Sequence, residues 1–541
     1  MDAPLAVAAS VKEIGVIAAA LAAAAGLLLP RPAQRAVGML LAIALVPVLV
    51  VGEVWNSAQF DPVRSQPAIA AAVAVGGLAL VALLARFLLR HPNAFPLLAV
   101  GALPFRIPVD VGASSANLLV PLYVVVAAGV LAYAWERLHP DGLAAGTPRI
   151  APRDRRGGDV ELALLAAVVL YAVQAAWSSD FEQGLKNVAF FYVPFALLFR
   201  LLAATNWTRR LAINCLVLAT VLALAFVAIG FVEYATRHLF WNPKVIASNQ
   251  FESYFRVNSL FFDPNIYGRF LAVVMSALAA VQLWSRDWRT RVAATAARAV
   301  LLAGLVLTFS QSPMVALIAS LLVLAALRWR AKPVLIGALV IALAAGAGAI
   351  AFPGVTRVDL GSGRSLKKAT SGRTDLIKGG VKMFLDRPIL GYGSGAFAAE
   401  FRKREHTSDE RAASASHTIP ITVAAEQGVL GLASYLAVLI TAFALVLQGL
   451  GRLRAPDPPR AELVARGAIA AAFTGLVVHT LAYAAFLEDP LTWTLLGAAI
   501  GLRFSASSSS SSAASSRVAA SAPRASSLPP PAAPAEAPAE S

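Results

Sequence analysis

His417 stands between Ser416 and Thr418, where a long polar stretch gives way to the apolar run TIPITVAAEQGVLGLASYLAVL. Imidazole is the side chain best suited to accept a proton near neutral pH, and a lone histidine also serves structure by bonding a backbone carbonyl. Arg373 opens RTDLIKGGVKMFLD. Its planar guanidinium matches a pair of phosphate oxygens, and would equally pair with lipid headgroups at a membrane surface. Arg256, in FRVNSLFFDPN, admits the same two readings. Glu426 falls inside an apolar helix or just within its outer end. An ionisable group there is costly, which marks it as a functional candidate paired with an arginine. His406 and His417 lack ligand-like spacing and no acidic pair resembles a cation cage, so no metal site is expected.

Most of these residues belong to one polar stretch, about residues 353–417, which carries twelve bases against seven acids. Within it, Ser371 can cap a helix with Asp375 in its first turn, where an acid favours the helix dipole. Leu376, Ile377, Val381, Phe384 and Leu385 follow at helical spacing, with Lys378, Lys382 and Asp386 elsewhere. The pattern predicts an amphipathic helix lying at a membrane surface. Asp386-Arg387-Pro388 ends it and GYGSG makes a tight turn. With no strand before them, these glycines resemble a phosphate-binding loop only superficially.

The rest of the chain must hold this stretch in place. Hydrophobic residues make up 58% of the 541 and charged residues 14%, which excludes an ordinary soluble enzyme. Apolar runs of about 17–25 residues recur, the length a helix needs to cross a bilayer. They are continuous rather than alternating, so an all-α polytopic membrane protein of roughly 12–15 transmembrane helices is expected. The fourth run, 94–105, is short and broken by prolines at LPFRIP, which suits a re-entrant or interfacial segment. The run at 418–448 is long, with Gly428 and Gly431 placed to kink it. Residues 1–205 read as N-terminal membrane helices and 206–504 as a membrane core containing the 353–417 loop. The Ser/Ala/Pro-rich tail, 505–541, is too poor in bulky apolar residues to fold. The first apolar run lacks a basic start, so no cleavable signal peptide is expected.

A net charge of +16 would suggest nucleic acid in a soluble protein, but basic short loops are what orient membrane helices, and no nucleic-acid partner is expected. With the long loop placed outside, 26 of the 46 basic residues fall on the cytoplasmic side and 12 of the other 20 lie in that loop. The one cysteine, Cys215, excludes an intrachain disulfide.

Four segments together resemble the bacterial O-antigen ligase and O-antigen polymerase superfamily: RVNSLFFDPNIYGRF, LTFSQSPMVALIASL, SGRTDLIKGGVKMFLDRPILGYGSGAF and SHTIPITVAAEQGVLGLASYL. The resemblance covers about residues 250–440. It departs at Ser310-Gln311-Ser312-Pro313, where the family usually has an arginine or other residue in the turn, and at Thr418, where Asn or Ser often follows the histidine. It implies a glycosyltransferase of the bacterial cytoplasmic membrane, acting on its outer side without cofactor or essential metal. The implied donor is a glycan on undecaprenyl diphosphate; the acceptor is a hydroxyl on a glycan, lipid or glycoconjugate. By the same resemblance His417 is the catalytic base, and Arg373 and Arg256 hold the diphosphate. Glu426 and Lys378 complete the expected substrate-binding set, and membrane lipids are expected partners. A transporter or flippase for lipid-linked or anionic glycans is the alternative, although the spans are poor in the mid-bilayer charge pairs it would need.

Overall fold

The computed structural model describes residues 3–54, 61–111, 114–139, 155–240, 245–246, 249, 255–340, 373–405, 418–455, 459–483 and 485–503. Helices α1 (Ala3–Leu28) and α2 (Pro32–Val54) form a hairpin in which Lys12 and Glu53 pair at 2.8 Å. Then come α3 (Pro67–Arg90), α4 (Ala94–Ala102), strands β1 (Ile107–Val111) and β2 (Ser114–Leu118), α5 (Val120–Leu138) and α6 (Arg155–Ala175). Next are α7 (Phe181–Ala204), with a π-helical turn at Val188–Tyr192, α8 (Arg209–Thr236), α9 (Pro264–Trp284), α10 (Trp288–Leu307), α11 (Gln311–Arg328) and α12 (Ala331–Val340). The chain continues with α13 (Arg373–Asp386), α14 (Phe397–Glu405), α15 (Ile419–Leu447), α16 (Ala461–Thr480) and α17 over 490–503.

Twelve of the described helices are long and apolar enough to cross a membrane. The protein is thus an all-α polytopic membrane protein, and among the described residues the antiparallel β1–β2 hairpin, with Ile107 opposite Leu118, is the one departure. Lipid tails are as apolar as a protein core, so helices associate largely through close packing of small residues. Helices α11 and α16 meet in this way, with Gly475 against Ala316 and Ser320.

The short run at 94–105 begins as the nine-residue helix α4 and continues through Leu103 and Pro104, both buried. Backbone that leaves a helix in this manner needs protein around it rather than lipid. The kink anticipated in the long span is real: Gly428 has φ 64° and ψ −157° inside α15.

The expected helix forms, and α13 packs on α15. Gly380 sits against Ile421 and Phe397, and Gly379 against Phe401, so its face of small residues lets the helices approach. Leu376 and Met383 are buried with Phe397, Phe401 and Ala425. Val381 and Leu385, placed by spacing on the anchoring face, are exposed, as are Ile389 and Leu390. Of the expected apolar set, Leu376 docks beside the two glycines, while Val381 and Leu385 stay on the outer face of the helix. The first part of the long loop (353–372), residues 406–417 and the C-terminal tail lie outside the described residues.

Candidate active site

The site begins with how the loop is seated. Gly380 lies opposite Ile421, and farther along the Val429 amide donates to the Pro388 carbonyl at 2.8 Å, so α13 descends parallel to the start of α15. The chain reverses at GYGSG and climbs back: Tyr392 N donates to Ala425 O (3.3 Å) and Gly393 N to Glu426 O (2.8 Å). On the other flank Ser394 N donates to Gln174 O at the end of α6, and Ser179 N donates to Tyr392 O, both at 3.4 Å. Gly391 (φ 66°) and Gly393 (φ 95°) are required here. A Cβ on the first would lie 2.2 Å from the Glu426 carbonyl oxygen, and one on the second 2.3 Å from Ser178 Cα.

Glu426 locks this reversal. Its Oε2 accepts from Gly395 N at 2.9 Å and its Oε1 from Phe397 N at 3.1 Å. The expected arginine partner is therefore replaced by two main-chain amides. They sit just past the turn, where the loop's own ladder leaves donors unpaired, and a carboxylate accepts such donors well. Glu426 positions the loop.

Arg256 is fixed at both ends. Its backbone exchanges two 3.0 Å hydrogen bonds with the side chain of Asn249. Its Nε donates to Thr308 O (3.1 Å) and its Nη2 to Ser310 Oγ (2.8 Å), in the turn joining α10 to α11. Nη1 makes no hydrogen bond among the described residues. Phe309 in that turn has φ 46°, a strained conformation for a bulky residue, costing on the order of 1–3 kcal/mol. The neighbouring turn at Asn258 and Ser259 is held by Glu233, whose Oε2 accepts from both amides at 3.2 and 2.7 Å.

From the Arg256 turn, polar contacts run to the place where the long loop rejoins the helices. Ser312 Oγ lies 3.2 Å from Asn265 Oδ1 and 3.4 Å from His479 Nε2. Two residues past His479, the Leu481 carbonyl accepts from Thr418 Oγ1 at 3.1 Å. Thr418 directly follows His417, which itself lies outside the described residues. Arg373 is the first residue of α13 and begins seven residues, about 10 Å, before Gly380. The parallel descent therefore puts the start of α13 at the same end of the bundle as the start of α15, and Lys378 on that helix is exposed.

Beside this path lies a charged group that the motif reading passed over. Arg269 Nη2 and Asp489 Oδ2 are 2.7 Å apart, and both residues are at most 2% exposed. Arg106, just beyond α4, is within electrostatic reach of Asp489, Arg269 and Tyr483. Asp263 caps α9 through Asn265 N at 2.6 Å. Asp489 caps α17 through Leu491 N at 2.9 Å as well as pairing with Arg269. A usable signal was present: Arg269 lies inside an apolar run, and ionisable residues there pair. Next to Asp489, Glu488 accepts from Tyr192 Oη at 3.0 Å, and burial raises its carboxyl above the usual range.

These features define a multi-pass helical membrane protein with a polar site at one end of its bundle, built from a clasped loop and a fixed arginine. Residues 296–436 match the family described as O-antigen ligase. The matched segment contains the Thr308–Ser312 turn, α13, the GYGSG clasp, Glu426 and the start of α15; Arg256 lies before it. No curated protein matches the chain significantly. The family match supports membership of the O-antigen ligase superfamily, and with it a membrane glycan ligase or polymerase role in surface polysaccharide assembly.

Proposed function

We propose that the protein transfers or polymerises a glycan from an undecaprenyl-diphosphate-linked donor onto a hydroxyl acceptor at the outer face of the cytoplasmic membrane. His417 takes the proton of the acceptor hydroxyl as its oxygen bonds to the anomeric carbon of the donor. The bond from that carbon to the diphosphate oxygen breaks, and undecaprenyl diphosphate leaves carrying the electron pair. Arg256 and Arg373 face the charge gathering on the leaving group, in the place a divalent cation would otherwise take. Lys378 adds a further cation on α13, and Glu426 serves by holding the loop. The sidedness rests on the 26 of 46 basic residues that fall on the cytoplasmic side when the long loop is placed outside.

The observation that carries this reading is the Arg256 guanidinium. It is immobilised on Thr308 and Ser310 with Nη1 left over, at the end of the bundle where α13 and α15 begin. A preorganised cation needs no reorganisation as charge develops, which is what leaving-group stabilisation requires.

The test uses purified protein in liposomes containing a lipid-diphosphate-linked oligosaccharide, with release of undecaprenyl diphosphate and glycan growth followed together. Release with laddered products, lost in His417→Ala and Arg373→Ala, is the polymerase outcome; release only when a separate acceptor is supplied is the ligase outcome. Movement of donor across the bilayer with no release under any acceptor would replace the reading with transport.

A further inference from the structure

A cleft of about 910 Å³ opens at the end of the bundle opposite the loop, between the last turns of α9, the first half of α10 and the second half of α11. Its walls are apolar, formed by Leu283, Val292, Leu321 and Leu324. At its mouth stand Trp288 and Trp329, 62% and 59% exposed. Three arginines, Arg291, Arg298 and Arg328, also line it, and none makes a salt bridge among the described residues, while Asp287 lies within electrostatic reach of Arg291. Asp287, the acid closest to them in sequence, uses its carboxylate to cap α10, accepting from Thr290 N at 2.9 Å and Thr290 Oγ1 at 2.6 Å.

The polar groups are layered. Arg291 and Arg328 lie within a turn of their helix ends, level with the tryptophans. Arg298 is ten residues past Trp288, about 15 Å along α10. It donates to Gln282 Oε1, while Gln282 Nε2 donates to Thr295 Oγ1 at 2.8 Å. The Nε of Arg298 is buried without a hydrogen-bond partner. The cleft thus offers two cations at its mouth, apolar walls that begin at the same level and continue inward, and a hydrogen-bonded arginine farther in.

We propose that this cleft binds an anionic glycerophospholipid. The phosphodiester rests on Arg291 and Arg328 at the mouth, and the acyl chains pass Val292 and run inward along Leu324 and Leu321. Basic pockets between membrane helices suit anionic headgroups, and tryptophans favour headgroup level. Free phosphate would leave the apolar walls unused, and an apolar protein segment would not explain three cations against one nearby acid that is engaged as a helix cap. The site is separate from the candidate active site, at the opposite ends of the same helices α9, α10 and α11.

The test is native mass spectrometry of the full chain in detergent, titrated with phosphatidylglycerol, with phosphatidylcholine, and with phosphatidylglycerol plus inorganic phosphate. Phosphatidylglycerol is expected to be retained over phosphatidylcholine. Arg291→Gln and Arg328→Gln should each weaken it about fivefold, as expected for one cation near an anionic headgroup. Arg289→Gln, which is exposed on α10 but does not line the cleft, should leave affinity unchanged. Both tested arginines are exposed, so their replacement leaves the fold intact even if Arg298→Gln proves unstable. Equal retention of the two lipids, unchanged affinity in both variants, full displacement by inorganic phosphate, or a dimer mass appearing in place of bound lipid would each overturn the proposal.

Discussion

The carboxylate of Glu426 receives the amide hydrogen of Gly395 at 2.9 Å, joining the kinked span α15 to the far side of a loop that has left the helix bundle and returned. With Phe397 N at 3.1 Å, it satisfies two buried donors that nothing else on the loop reaches. Glu426→Ala strands both amides, and about 2–4 kcal/mol of stability should be lost, with Glu426→Gln recovering about half. Thermal unfolding in detergent measures this, and limited proteolysis should show earlier cleavage near residues 390–397. An alanine variant as stable and as resistant as the wild type would remove Glu426 from its positioning role.

Arg256 makes a second demand that charge alone does not meet. Its Nε and Nη2 engage Thr308 O and Ser310 Oγ at the same time, and a lysine cannot reproduce that fork. Arg256→Lys should therefore lose about 10²-fold in release of undecaprenyl diphosphate, close to the loss in Arg256→Ala, while thermal stability changes little. A lysine variant with wild-type turnover would show that any cation suffices and that the fixed geometry is incidental.

The Arg269–Asp489 pair is nearly completely buried, so removing one partner leaves the other without its direct counter-charge, although Arg106 remains within electrostatic reach of Asp489. Asp489→Ala and Arg269→Met should each cost about 3–5 kcal/mol. The double substitution Arg269→Met/Asp489→Leu should be more stable than either single variant. Melting curves of the four proteins form the double-mutant cycle. Additive single effects would mean that the 2.7 Å approach contributes no coupling.

Glu488 supplies a pH dependence of definite sign. Burial raises its native carboxyl above the unfolded value near about 4.3, and the neighbouring Asp489 adds to this. Its contribution to stability is then complete below the unfolded pKa and is lost as pH rises through the native pKa. Glu488→Gln fixes the uncharged form and keeps an oxygen for Tyr192. It should melt with the wild type near pH 4 and above it at pH 8. A variant that is less stable than the wild type at pH 8 would reverse the assigned direction.

The membrane helices were legible because length and apolar continuity are properties of a single segment. Roughly 12–15 spans were expected on that basis, and twelve of the described helices qualify; the kink at Gly428 was also legible, since glycine alone tolerates that backbone conformation. The partner of Glu426 was not legible. Its cost in an apolar run is visible in sequence, but the donors that satisfy it are main-chain amides, which every residue except proline carries. The docking face of α13 was not legible for a related reason: it is set by Gly379 and Gly380, whose value lies in the side chains they lack. Arg269 and Asp489 are far apart in the chain, and pairing over that separation is decided by how α9 and α17 come together.

The loop from Pro388 to Phe397 is hydrogen-bonded mostly through main-chain atoms, with Gln174 and Glu426 as side-chain anchors. Its side chains are committed as well: Tyr392, Ser394, Ala396 and Phe397 are all buried. The returning limb is therefore held twice over, by its backbone and by its packing, and has little room for substitution. Freedom to vary is left to the outgoing limb, where Ile389 and Leu390 stand exposed.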